Sequence, residues 1–275
     1  MQNTKIKKII QGLNLDDDFL FAKVMSDQDI CKKVLEKILN IKIKKLKLPT
    51  EQKVIDLVLD SKAIRLDIYV QDESNTVYNV EMQKSKNKNL AKRSRYYQGN
   101  VDLDFIQKGE DYSKLYKSFV IFICTFDPFN QGRHLYTFEN RCLEDINLSL
   151  GDETTKLFLN TKGNLRDVDE EMLEFLTYIE NSTDEYANQA KSTLVKAINE
   201  KVSHLKNDKS LEVEYMTLYE RDKEKFQEGL EQGEMQKSIE IAKNLIKRGL
   251  DNEFILEITG LSLEIVNNLR CEESN

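Results

Sequence analysis

The run Phe119–Phe126, FVIFICTF, constrains this chain more than any other stretch. It is rich in β-branched and aromatic residues, shows no polar alternation, and is stopped by Asp127-Pro128. A segment that short and that apolar predicts a central strand buried on both faces. Other strand-like segments lie at 54–59, 63–70, 77–83, 134–138 and 155–160. Ile41–Leu48, IKIKKLKL, alternates apolar and basic residues and predicts a short strand or an extended connector. Asp16–Asp18 followed by FLFAKVMSDQDICKKVLEKIL predicts one helix, with acids at its start where the helix dipole favours them. Phe19, Val24, Ile30, Val34 and Ile38 are its candidate buried stripe. Residues 88–108 and almost everything after Asp169 also predict helix. Two prolines and ten glycines leave long elements uninterrupted.

No apolar run approaches the roughly 20 residues of a membrane-spanning helix, so no membrane is expected. The N-terminus lacks the apolar stretch and small-residue site of a secretory signal. Four widely spaced cysteines form no CxxC, which fits a reducing cytoplasm better than a disulfide framework or thiolate zinc site. With only His134 and His204 present, chemistry must rest on carboxylates, lysines or tyrosines. Both histidines are expected to be ordinary, partly exposed residues. The net charge of −7 is uneven: residues 1–100 carry 20 Lys and Arg against 13 Asp and Glu, and the remainder 21 against 35. A local basic field acts within a Debye length of about 10 Å, so an acidic total does not exclude a nucleic-acid partner.

The chemistry concentrates in the predicted hairpin of 63–70 and 77–83. If Gln71 faces Val77, one face carries Ile68–Val80, Leu66–Met82 and Val70–Tyr78, and the other carries Tyr69–Asn79, Asp67–Glu81 and Arg65–Gln83. A one-residue slip would destroy that separation. The register sets two carboxylates opposite each other, Cβ atoms about 5 Å apart, which is destabilising unless something neutralises them. A divalent cation with a preference for hard oxygen ligands would do so. An ordinary exposed sheet face is the competing reading. Directly after Gln83 come Lys84, Lys86, Lys88, Lys92, Arg93 and Arg95, then Tyr96 and Tyr97. Cations that track phosphates with aromatics nearby suit a nucleic-acid groove, and carboxylates beside them suit a metal-activated water attacking a phosphodiester.

In order along the chain, Asp17-Asp18-Phe19-Leu20-Phe21-Ala22-Lys23-Val24-Met25, Arg65-Leu66-Asp67-Ile68, Val80-Glu81-Met82-Gln83, Arg93-Ser94-Arg95-Tyr96-Tyr97, Lys108-Gly109-Glu110-Asp111-Tyr112 and the 119–126 strand resemble the PD-(D/E)XK nuclease family transposases, or recombination-promoting nucleases. Glu228-Gly229, Gln232-Gly233 and Thr259-Gly260-Leu261-Ser262 are similar to the tail of such proteins. The resemblance implies an α/β fold with a restriction-endonuclease-like mixed sheet flanked by helices over residues 1–165. Residues 166–275 would form an all-helical C-terminal region with a long helix and a terminal hairpin. It further implies a DNA endonuclease using Mg2+, with Mn2+ as a substitute, tied to a mobile element or recombination. Asp67 and Glu81 would bind the metal, with the Met82 carbonyl and Asp18 as further ligands. Asp67, Glu81 and Gln83 would be catalytic, and Lys84, Lys86, Lys88, Lys92, Arg93, Arg95 and Tyr97 would meet DNA. Gln83 stands where lysine is common across the superfamily and cannot supply its charge. Ala22 likewise replaces an expected basic residue.

Another class of function fits the same residues: a DNA-binding or interaction module on a weakly active or inactive nuclease scaffold. Asp251–Ile258, Thr259-Gly260 and Ser262–Leu269 read as helix, turn, helix. The second helix offers no Lys or Arg before Arg270, which favours a plain helical hairpin over a DNA reader. Residues 211–248 predict a long helix whose Leu211, Tyr215, Leu218, Phe226, Leu230, Ile239, Ala242 and Leu245 keep largely to one stripe. Gly229 and Gly233, four apart, each cost up to about 1 kcal/mol of helix propensity relative to alanine. Close approach of another backbone, or a local bend, would explain them; the arm is expected to pair two copies into a homodimer, with an arm folded back on its own core as the competing reading.

Overall fold

The computed structural model describes residues 2–47, 54–55, 64–65, 67–86 and 89–273. Its elements run α1 (Gln2–Gln11), α2 (Asp18–Met25), α3 (Gln28–Leu39), β1 (Leu46–Lys47), β2 (Val54–Ile55), β3 (Ile64–Arg65), β4 (Ile68–Asp72), β5 (Val77–Gln83), α4 (Leu90–Phe105), β6 (Ser118–Cys124), β7 (Leu135–Phe138), β8 (Thr154–Asn160), α5 (Glu170–Glu180), α6 (Asp184–Gln189), α7 (Thr193–Lys206), α8 (Lys209–Lys247), α9 (Asn252–Thr259) and α10 (Leu263–Glu273).

Six strands form one mixed sheet in the order β1-β4-β5-β6-β8-β7. β5, β6 and β8 are parallel, and the remaining pairings are antiparallel. The apolar run is the central strand β6, covered on both sides as its sequence requires. Phe119, Ile121 and Ile123 join a core built with α2, α3, α5 and α7, including Leu20, Val34, Phe175 and Ile198. Val120, Phe122 and Cys124 join a second core with Leu90, Tyr97 and Val101 of α4. Parallel strands need a crossover, and α4 lies in the crossover from β5 to β6.

Two expected elements are divided. The single helix after Asp16 is two, because Asp17 caps α2 by accepting from the Phe19 and Leu20 amides and Asp27 starts α3 by accepting from the Asp29 and Ile30 amides. Ser26 Oγ also donates back to the Lys23 carbonyl. Short polar side chains that bond nearby backbone end one helix and begin the next. Phe19 lies half-buried, whereas Val24, Ile30, Val34 and Ile38 are buried. The single strand expected over 63–70 is also split. β3 pairs with β2 in a separate two-stranded sheet, so Arg65 stands opposite Val54 instead of the expected Gln83. Leu66, and with it the expected Leu66–Met82 pair, lies outside the described residues.

By contact the chain divides into two units, Met1–Glu212 and Val213–Asn275. That boundary falls later than residue 165 because Met172, Phe175, Val195 and Val202 of α5 and α7 are part of the core beneath the sheet. In the second unit, Ala242, Ile255, Leu261, Val266 and Leu269 form a small core of their own. The chain reverses between α9 and α10 at Gly260, whose φ of 68° suits glycine. The long helix spans 39 residues. Phe226 and Leu230 on it are exposed, and a Cβ added at Gly229 or Gly233 would meet nothing within 4 Å. No described helix is long and apolar enough to cross a membrane.

Candidate active site beneath helix α4

The hairpin register matches its alternation: Ile68 faces Val80, Tyr69 faces Asn79, Val70 faces Tyr78 and Gln71 faces Val77. Its apolar side enters the α2, α3, α5 and α7 core. Its polar side is no solvent face, because α4 lies over it. Val77, Asn79, Glu81 and Gln83 are all buried, Glu81 and Asn79 completely.

Asp67 and Glu81 are brought together at one end of this side. The Asp67 amide donates to Glu81 Oε1 at 3.3 Å, and Asp67 Oδ2 accepts from the Met82 amide at 3.0 Å. Burial, and then the nearby Asp67 carboxylate, push the Glu81 carboxyl above its ordinary value, with Arg93 opposing. Arg93 descends from α4 onto the pair. It donates Nη2 to Glu81 Oε2 at 3.3 Å, Nη1 to Gln83 Oε1 at 3.0 Å and Nε to the Tyr97 hydroxyl at 2.7 Å. Gln83 Nε2 donates to the Met82 carbonyl at 2.7 Å. Asn79 lies buried beside Glu81 on the same side, and its amide opposes the rise of the Glu81 carboxyl.

Asp18, at the exposed start of α2, stands close enough to feel both Lys84 and Arg93. Desolvation, then Asp17, nonetheless raise its carboxyl above the usual value. Lys84 turns to the opposite side of β5 and pairs with Asp16 at 3.1 Å. Lys86, Lys92 and Arg95 are exposed, Lys86 with its Nζ 3.4 Å from Asn130 Oδ1. Lys88 lies outside the described residues. Tyr97 is buried, its ring stacked 6.0 Å from Phe122, which withdraws it from any role of stacking on a nucleotide base. His134, expected to be partly exposed, is also buried. Its Nδ1 lies 2.9 Å from Asp167 and its ring presses on Gly163, where an added Cβ would come within 2.5 Å.

Sequence reasoning placed Arg93 among surface cations and gave Asn79 no role. The helical spacing held the missing signal. Arg93 is three residues after Leu90 and four before Tyr97, both buried, and such positions share one helix face.

Among the described residues no three His, Cys, Asp or Glu side chains gather into a metal cluster. Two carboxylates and the Met82 carbonyl are a hard-oxygen set. That suits a magnesium ion, which binds through one or two carboxylates and keeps several waters.

A family model described as PD-(D/E)XK nuclease family transposase matches residues 16–232. The chain belongs to that family. In this transposase-family nuclease a second model, described as Rpn/YhgA-like nuclease family, C-terminal HTH domain, matches residues 235–270. The stretch similar to that domain takes in the end of α8 together with α9 and α10, where the sequence favours a plain helical hairpin. Arg270, the one cation expected on the second of them, donates Nε to Asn252 Oδ1 at 2.7 Å and also bonds the Leu250 carbonyl. No curated protein and no solved structure matches the chain.

Proposed function

We propose that this nuclease-family protein is a metal-dependent DNA endonuclease that hydrolyses phosphodiester bonds in the service of a mobile element or of recombination. The observation that carries the reading is the Asp67–Glu81 carboxylate pair, with Glu81 fully buried, its carboxyl held above the ordinary value by that burial and by Asp67, and the Arg93 guanidinium beside it. Burial of a carboxylate against a second one is unfavourable for a fold and is found where a functional site perturbs its groups.

Asp67 and Glu81 would hold Mg2+, or Mn2+ in its place, with the Met82 carbonyl as a third protein ligand and Asp18 at the rim. The ion, when bound, supplies an activated water and neutralises charge developing on the phosphate. The chain's own part is positional. Asp67 is oriented by the Met82 amide, and Glu81 by the Asp67 amide and Arg93. Helix α4 and the Tyr97 and Phe122 rings shield Glu81 from bulk water. Lys86, Lys92 and Arg95, exposed around this site, would track the DNA backbone. Such a protein works in the cytoplasm with its thiols reduced.

The exposed Phe226 and Leu230 on α8, with Gly229 and Gly233 uncrowded within the chain, support pairing of the arm with a second copy. Full-length protein is expected to sediment as a dimer at micromolar concentration, and a Phe226→Glu, Leu230→Glu variant as a monomer. Monomers in both cases would exclude the arm as a dimer interface.

Nicking of plasmid DNA tests the enzymatic reading. With Mg2+ the purified protein is expected to cleave, and Asp67→Ala and Glu81→Ala each to fall to background. The double variant should lose little more, because residues acting as one unit are not additive. Robust cleavage by Asp67→Ala would remove the site assignment. DNA binding without cleavage by the wild type would favour a binding module on an inactive scaffold.

A further inference from the structure

Gln83 occupies the position that carries lysine across the wider superfamily, yet it is neutral, and both ends of its amide are engaged: Nε2 on the Met82 carbonyl and Oε1 under Arg93. Arg93 is held on every side. Besides its bonds to Gln83, Glu81 and Tyr97, its guanidinium carbon lies 5.0 Å from the centroid of the Tyr97 ring and 6.0 Å from that of Phe122. Three of the five N–H groups of a guanidinium are thereby fixed, and the cation lies against two aromatic rings. The side chain is nonetheless 34% exposed. Its other two N–H groups make no hydrogen bond among the described residues. A rigid planar cation with two donors left over is suited to a pair of phosphate oxygens.

We propose that Arg93 is the cation of this site: held by Gln83, Glu81 and Tyr97, it receives the non-bridging oxygens of a DNA phosphate set against Asp67 and Glu81, while Gln83 aims it and does not itself meet substrate. The assignment rests on the nuclease reading above and adds to it which residue carries the positive charge. It also explains a glutamine at this position. A lysine there would compete with Arg93 for the same space, whereas glutamine offers an acceptor to the guanidinium and a donor to the Met82 carbonyl.

Relocating the charge tests this. Four full-length proteins are compared: wild type, Arg93→Met, Arg93→Lys, and Gln83→Lys with Arg93→Met. Thermal melting and near-ultraviolet circular dichroism establish folding. Affinity for a short DNA duplex is read by fluorescence anisotropy with Ca2+ replacing Mg2+, Mn2+ affinity by calorimetry without DNA, and cleavage by single-turnover kinetics with Mg2+.

Arg93→Met is expected to lose about tenfold in DNA affinity and about 100- to 1,000-fold in cleavage rate. Arg93→Lys should recover part of the affinity, and the relocated charge should restore cleavage to within about tenfold of wild type. Mn2+ should bind Arg93→Met at least as tightly as wild type, since a cation beside Glu81 is gone. Three results would each overturn the assignment: a folded Arg93→Met that binds and cleaves DNA like wild type, a relocated charge no better than Arg93→Met, or loss of Mn2+ binding in Arg93→Met, which would make the arginine a strut for the carboxylates. Should Arg93→Met not fold, Arg93→Lys alone decides: weaker DNA binding with Mn2+ affinity unchanged supports the assignment, and DNA binding and cleavage like those of wild type overturn it. A wild type that never cleaves, but whose variants show the expected binding pattern, sinks the nuclease reading and keeps Arg93 as a phosphate seat. Cleavage by wild type without that pattern does the reverse.

Discussion

Strand β5 turns Tyr78, Val80 and Met82 to one side and Asn79, Glu81 and Gln83 to the other, and both sets are buried. On the first side burial removes hydrocarbon from water, worth about 1.5–3 kcal/mol for a side chain of this size. On the second it strips water from a carboxylate and two amides, which is unfavourable wherever partners are incomplete. Equal burial thus has opposite sign on the two sides of one strand. The apolar side holds β5 in place, and that lets the polar side keep an arrangement it would not adopt for its own stability. A buried carboxylate set against a second one therefore marks a place where something else is to be bound, and burial by itself does not.

The sharpest way to break this contrast is to remove one group from each side and read both stability and activity. Glu81→Gln is expected to reduce Mg2+-dependent cleavage to background while leaving the metal-free protein at least as resistant to denaturant as wild type. Val80→Ala deletes two buried methyl groups and should lower the unfolding free energy by about 2–3 kcal/mol, with cleavage per folded molecule retained. If Glu81→Gln unfolds the protein, the polar side is structural after all.

A pH series sharpens the same point with a smaller effect. The folded protein holds the Glu81 proton more tightly than the unfolded chain, whose carboxyl titrates near 4.5. Between that pH and the raised folded value the native state binds the extra proton, so stability must fall as pH rises. Denaturation in a chelator across this window should show that fall in wild type and its absence in Glu81→Gln. A slope common to both would assign it to another group.

The smallest expected effect is at the rim. Neutralising Lys86, Lys92 and Arg95 together should weaken DNA binding and reduce the salt slope by about 0.9 for each phosphate that no longer meets a cation. Duplex affinity measured over a salt series checks this. An unchanged slope would make these cations a solvated surface unconnected with DNA.

The contrast was partly legible in the amino-acid order. Alternation with a period of two assigns residues to shared sides, so the pairing of Ile68 with Val80 and the nearness of Asp67 to Glu81 follow from the pattern alone. The apolar run likewise announces β6, since only a strand with both faces covered tolerates it. What alternation does not carry is the identity of the covering layer. Nothing in VYNVEMQ says that the polar side lies under a helix, and a lysine-rich segment reads as exposed until its buried Leu90 and Tyr97 are seen to share a face with Arg93. The division of the first long helix was missed for a different reason. Ser26 and Asp27 interrupt a sequence whose flanks are both strongly helical, and two short side chains bonding to backbone outweigh the flanking propensity.

The crossover between β5 and β6 has one more consequence. Asp67 and Glu81 are 14 residues apart, and Glu81 and Arg93 only 12, so the reactive cluster closes through a hairpin and the helix next to it. The sheet that braces it is finished only when β8, far along the chain, docks against β6. Contacts of short sequence separation form faster than distant ones. The carboxylates, the glutamine and the arginine, with the helix that covers them, therefore all precede in synthesis the strands β6 and β8 that complete the sheet around them.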